Sequence, residues 1–154
     1  MGNESLKFKF LPDVAIADLA FRAEGRTREE LFANCGLALM SAMANAAKIK
    51  AKVHRVIEVD GKGDKELLYN FLEELVYLKD TEGVLFRKFK VRISQGKNKK
   101  DGAREMSLSA ECAGDSLKAI GRENLLNDVK AITMHMFEVR REKGKWGATV
   151  VVDI

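Results

Sequence analysis

The sequence predicts an α+β fold: a two-layer sandwich with a mixed, mostly antiparallel sheet covered by two long helices. Three observations carry this. Two stretches, residues 28–47 and 64–83, place apolar side chains at helical spacing. Seven or so others alternate apolar and polar residues, the period of a strand. Several of those neighbours are joined by short polar or glycine-containing turns, as in antiparallel hairpins.

Taken in order, Leu6, Phe8 and Phe10 alternate with Lys7 and Lys9, a half-buried strand broken by Pro12-Asp13. Ile16 to Glu24 reads as a second strand, ending at Gly25. Thr27-Arg28-Glu29-Glu30 is a capping box, in which hydroxyl and carboxylate satisfy each other's orphan backbone donors. Leu31, Cys35, Leu39 and Met43 follow on one helical face, so the first helix is expected over Arg28–Ala47. Val53–Val59 is short and β-branched, hence a strand, and Asp60-Gly61 turns it. Asp64 is placed to cap a second helix, whose stripe runs from Leu67 and Leu68 to Leu78 and stops near Gly83. Val84–Ser94 and Arg104–Ala113 form a hairpin about a polar turn, Gln95–Ala103. Residues 115–127 read as irregular or partly helical. Asp128–Arg141 alternates, Gly144 turns the chain, and Trp146–Ile154 is the last strand. No internal repeat is evident, and with one proline and no low-complexity tract the chain, residues 1–154, reads as a single domain.

A length of 154 residues suits one domain with one core. Hydrophobic residues at 46% and charged residues at 32% exclude a disordered chain. No apolar run is long enough to span a membrane, and the N-terminus lacks the pattern of a secretory signal, so no membrane partner is expected. Cys35 and Cys112 form no metal or disulfide pattern; they read as small hydrophobes in a reducing compartment, and the expected location is cytoplasmic.

The net charge of +4 is unevenly spread. Between Phe86 and Arg104 lie Arg87, Lys88, Lys90, Arg92, Lys97, Lys99, Lys100 and Arg104 against the single acid Asp101, so the rest of the chain is net negative. Such a hairpin either faces phosphate or is a solvated edge whose lysines block strand pairing.

Chemistry-bearing motifs are few. There is no phosphate-binding glycine loop, zinc-protease motif or nucleophile elbow, and His54 and His135 lack partners at metal-ligand spacing. The unusual features are Asp18, within Ala15-Ile16-Ala17-Asp18-Leu19-Ala20-Phe21, and Asp153, within Val150-Val151-Val152-Asp153-Ile154. An ionised carboxylate in apolar surroundings is costly unless a cation or donors neutralise it. Asp153 also stands beside the carboxyl end at Ile154. Converging carboxylates without imidazole or thiolate favour a hard cation, Ca²⁺ or Mg²⁺; the alternative is a strand-end turn and a frayed tail. Lys130, facing the same side as Ile132 and Met134, either snorkels to solvent or stands ready for a phosphate or carboxylate.

The chain resembles the archease family. The resemblance is carried by Phe10-Leu11-Pro12-Asp13, Ala17-Asp18-Leu19-Ala20-Phe21-Arg22-Ala23 and Thr27-Arg28-Glu29-Glu30-Leu31-Phe32. It continues through Leu67-Leu68-Tyr69-Asn70-Phe71-Leu72-Glu73-Glu74-Leu75, Asp80-Thr81-Glu82-Gly83-Val84-Leu85-Phe86, Asp128-Val129-Lys130-Ala131-Ile132-Thr133-Met134-His135 and Val152-Asp153-Ile154. Two departures stand out. Members commonly show His-Thr-Ala-Asp where this chain has Ala15-Ile16-Ala17-Asp18, and Tyr-His-Asp where it has Met134-His135-Met136.

The resemblance implies a non-catalytic α+β protein that activates the GTP-dependent tRNA-splicing ligase, promoting its guanylylation and multiple turnover. It implies Ca²⁺, or Mg²⁺ or another divalent ion, held by Asp18, Asp153 and Ile154, with Lys130 associated with activation. It also leaves open a chaperone that modulates tRNA methylation, with a tRNA methyltransferase or tRNA itself as partner. Two other readings stay open from the residues: an RNA-binding module using Lys97, Lys99 and Lys100, and, with least support, a metal-dependent hydrolase using Asp18 and Asp153.

Overall fold

A computed structural model describes residues 8–12, 18–97, 100 and 102–154. The order is β1 (Phe8–Leu11), β2 (Asp18–Gly25), α1 (Arg28–Met43), β3 (Val53–Gly61), α2 (Asp64–Glu82), β4 (Val84–Lys97), β5 (Arg104–Ser116), α3 (Leu117–Ile120), β6 (Ala131–Glu142) and β7 (Lys145–Asp153). Short 3-10 turns cover Ala46–Lys48 and Arg122–Asn124. The fold is α+β, with two long helices, as the sequence predicts. The strands form two sheets, β1-β2-β7-β6 and β3-β5-β4, and every strand pair is antiparallel.

Helix α1 starts at the capping box: Thr27 Oγ1 accepts from the Glu30 amide at 3.0 Å. The Glu30 carboxylate accepts from the Arg26 amide at 3.1 Å, one residue earlier than the reciprocal box expects. The helix ends at Met43 rather than near Ala47, because Ala44 turns extended and bridges to Leu125. The N-cap of α2 is Gly63, not Asp64. Asp64 is the first helical residue, and its carboxylate is taken by Arg28 at 2.6 Å. Gly83 closes α2 in the left-handed conformation, φ 62°, a conformation glycine adopts without the Cβ penalty.

Each helix touches both sheets: α1 packs on β2 and β4, α2 on β3 and β6. Between them lies one core in which Phe32 stacks on Phe71, and Phe71 and Phe86 each meet Phe89 edge-on. Burying a phenylalanine fully, as at Phe32, Phe71 and Phe86, stabilises by about 2–3 kcal/mol each. The outward-facing residues of β3 and β4, such as His54, Val56, Lys88 and Lys90, are exposed.

The pairing reveals an internal duplication that the sequence hides. In one unit β2 leads into α1 and pairs with β7, the second strand of the β6–β7 hairpin. In the other, β3 leads into α2 and pairs with β5, the second strand of the β4–β5 hairpin. The second unit is inserted between α1 and the hairpin of the first. The strand-to-helix junctions match in detail. Gly25 and Gly61 end the strands, and Glu30 and Glu66 accept from the amides of Arg26 and Lys62. Asn34 and Asn70 donate back to the carbonyls of Glu24 and Asp60 at 2.7 and 2.8 Å. A Cβ on either glycine would lie within 2.4 Å of the Leu31 nitrogen or 2.6 Å of the Leu67 nitrogen, so the tight junction requires glycine at both places.

Strand β6 departs from the alternation expected of it. Its register against β7 breaks between Thr133 and Glu138. Met136 takes φ 57°, Met134, His135 and Met136 are exposed, and Phe137 turns into the core against Tyr69. This four-residue bulge lets an aromatic anchor reach the core at the cost of the ladder.

Candidate metal centre

Asp18 opens β2, Asp153 closes β7, and the register sets them directly opposite each other. Directly opposed residues of an antiparallel pair share a face, with Cβ atoms about 4.5–5.5 Å apart. Both residues are half-buried. Like charges so opposed repel, and a cation between them relieves the repulsion. The two acids that look isolated in sequence are therefore one anionic pole. Val150, Val151 and Val152 are fully buried and Ile154 packs against the core, which holds the strand end in place and keeps the main-chain oxygens of Ile154 beside Asp153.

The donors here are all oxygen, the set a hard cation takes. Imidazole and thiolate are elsewhere: His54 and His135 are exposed on other strands, and Cys35 and Cys112 are buried. Among the described residues no three His, Cys, Asp or Glu side chains gather as a metal cluster. Two carboxylates and main-chain oxygen fit Ca²⁺ or Mg²⁺ with water completing the shell.

Lys130 enters through its backbone, its amide donating to the Asp153 carbonyl at 2.8 Å, while its side chain is exposed. The segment carrying it is clamped by α2. Lys79 Nζ donates to the Val129 carbonyl at 2.7 Å and to Asp128 at 2.6 Å, and also pairs with Asp80 at 2.7 Å. Glu73 accepts from the Ile132 amide at 2.7 Å. Lys79 is only 7% exposed. Burial alone pulls its ammonium down, but the hydrogen bonds and charges of Asp128 and Asp80 outweigh that and hold its pKa above the usual 10.5. Sequence reasoning missed both clamp residues. The available signal was a lysine on the apolar stripe of α2, one position past Leu78.

In the basic hairpin, Phe86 is fully buried and Phe89 packs against the core, so neither is free to stack on a base. Lys97 ends β4 and Lys100 is exposed in the turn, while Lys99 lies outside the described residues. Cys35 and Cys112 are buried as expected of small hydrophobes, and burial pushes the Cys112 thiol up to about 12 and the Cys35 thiol up as well. An open groove of about 510 Å³ lies at the hairpin end of β7, lined by Arg22, Glu24, Arg140, Glu142 and Trp146, away from the acidic pole. Among the described residues, no helix is long and apolar enough to cross a membrane.

Fold and pole together define a small duplicated α+β protein with an anionic, all-oxygen end. The chain belongs to the archease protein family (MTH1598/TM1083), which it matches over residues 8–154. It is 42% identical over 139 residues to protein archease of Pyrococcus furiosus, covering 90% of this chain and 93% of that one. It is 37% identical over 138 residues to protein archease of Methanothermobacter thermautotrophicus, with the same coverage. The solution structure of Methanobacterium thermoautotrophicum protein 1598 superposes with a TM-score of 0.71 at 29% identity, covering 96% of this chain and 99% of that one. The crystal structure of an archease from Thermotoga maritima, described as a possible chaperone, shares the fold with a TM-score of 0.57 at 16% identity, covering 94% and 96%.

Proposed function

We propose that this chain is a non-catalytic accessory protein that activates a GTP-dependent RNA-splicing ligase, promoting its guanylylation through the acidic pole. The observation that carries the reading is the cross-strand opposition of Asp18 and Asp153. Asp18, Asp153 and the carboxylate of Ile154 would hold Ca²⁺ or another divalent ion. When bound, that ion supplies positive charge able to offset phosphate oxygens.

The chain's own residues do the rest. The two aspartates present a fixed anionic end, preorganised because buried valines lock the strand behind them. Lys130, on a segment anchored by Lys79 and Glu73, offers an exposed point charge beside that end for a phosphate or a partner carboxylate. The family membership supports an accessory role, since its members carry names of a protein and a possible chaperone.

The test is a guanylylation assay of the ligase with this protein added. Wild type is expected to accelerate it, Asp18→Ala and Asp153→Ala to lose most of the acceleration, and Lys130→Ala to lose part. Full activation by both aspartate variants would remove the pole from the account.

A further inference from the structure

The duplication gives the acidic pole a counterpart. The row Asp18–Asp153–Ala131 across the first sheet corresponds to His54–Ala113–Lys88 across the second. The same place in the fold thus carries paired acids in one unit and a histidine and a lysine in the other. Around His54 and Lys88 the cations accumulate. Arg87 sits at a β-bulge and reaches the Ile49 carbonyl at 3.4 Å, which ties it to the segment bearing Lys50. The Lys52 amide donates to the Gly114 carbonyl at 2.8 Å, next to Ala113. Lys50, Lys52, His54, Arg87, Lys88 and Lys90 are all exposed. Of the acids nearby, Glu82 pairs with Arg55 at 2.7 Å, Glu111 lies within the face opposite Lys90 and 3.9 Å from Arg92, and Glu58 and Asp60 are exposed further along β3, beside Ser109 and Ser107, so the basic surface is concentrated at the Lys50–Lys52–Lys88 end.

We propose that this second pole binds the phosphodiester backbone of single-stranded RNA. The inference does not rest on the metal reading of the first pole. Three features favour a nucleic acid backbone. Lys88, Lys90 and Arg92 share one face of a strand, where alternate residues advance about 6.6 Å, so the charges recur along a line as phosphates do. Beside that line β5 presents Ala113 next to Lys88 and Ser109 next to Arg92, small residues that let an extended chain lie close, with Glu111 between them opposite Lys90. Val56 is the one large hydrophobic exposed on the outer face of β3, β4 and β5 among the described residues, too little for a membrane surface. Phe86 and Phe89 are turned into the core, so the contact is electrostatic rather than stacking, and sequence-independent.

Fluorescence anisotropy of a labelled mixed-sequence single-stranded RNA, titrated with the intact protein over a range of salt, tests this. Wild type is expected to bind with affinity that falls steeply as salt rises. The triple variant K50E, K52E, K88E is expected to bind roughly tenfold or more weakly, and its log–log salt slope to shrink by about 2, because three cations no longer neutralise phosphates. D18N with D153N is expected to bind RNA as wild type does. Should the triple variant fail to fold by circular dichroism, K52E and K88E singly are each expected to weaken binding and lower the slope. No binding at low salt, or variants that bind as tightly as wild type, would overturn the proposal. So would displacement by polyglutamate as readily as by unlabelled RNA, or binding to anionic vesicles without RNA binding.

Discussion

Arg28 and Asp64 occupy the same place in the two units, the first helical residue after each cap, and they bind each other at 2.6 Å. Equivalent positions touch in this way where a two-fold relation passes through a molecule. In a symmetric dimer such a position would meet its own copy. Within this one chain the two equivalent positions carry opposite charges instead. The guanidinium also lies 4.6 Å over the Trp146 ring, so one side chain joins α1, α2 and β7.

Asp64→Ala leaves that guanidinium mostly buried without its anion, and a loss of about 1–3 kcal/mol in urea unfolding is expected. Arg28→Ala and Asp64→Ala are expected to be coupled by about 1 kcal/mol or more in a double-mutant cycle, because the second substitution removes a partner already orphaned.

The junction glycines give a paired prediction. Gly25→Ala and Gly61→Ala each force a Cβ onto the backbone of the following helix, and each is expected to cost roughly 2–3 kcal/mol. Gly63→Ala meets nothing within 4 Å and is expected to change stability by about 0.5 kcal/mol at most. Chemical denaturation of the three variants checks both the clash and its repetition in the two units.

Lys79 ties α2 to the segment that presents Lys130. Lys79→Met replaces a paired charge by an apolar chain of similar reach, so global stability is expected to change by only about 1 kcal/mol. The local tie is nonetheless lost, and hydrogen exchange at the Lys130 and Ile132 amides should quicken. Because the folded state raises the Lys79 pKa, its stabilisation is intact below about 10.5 and fades as pH climbs further. The wild-type unfolding curve should therefore show an alkaline loss in that window that Lys79→Met lacks.

The thiols predict a separate alkaline effect. Burial raises Cys35 and Cys112 from their ordinary 9.0, so above that pH the unfolded chain ionises while the folded chain keeps its protons, and stability falls. Near neutrality both should resist a disulfide reagent in the native protein and react once it is unfolded, since the thiolate is the reactive form.

Alternation and capping were enough to find the elements, because burial on one face writes a period of two or 3.6 into the sequence. Partner choice leaves no such local trace. Asp18 and Asp153 stand out as acids in apolar strands, yet only the β2–β7 ladder shows them opposed. The duplication is hidden for a related reason. Its sequence trace is a few matched residues at each junction, Gly25, Glu30, Leu31 and Asn34 against Gly61, Glu66, Leu67 and Asn70, and the insertion separates the first unit's halves. The β6 bulge escaped because Met134 to Phe137 continue an alternating pattern while Phe137 is drawn inward by Tyr69.

Whether the opposed aspartates hold a metal is settled by calorimetric titration of Ca²⁺ into the intact protein and into D18N with D153N. One saturable site in wild type, absent from the double variant while the fold persists, is the predicted outcome. Identical binding curves for the two proteins, or no heat with either, would contradict it.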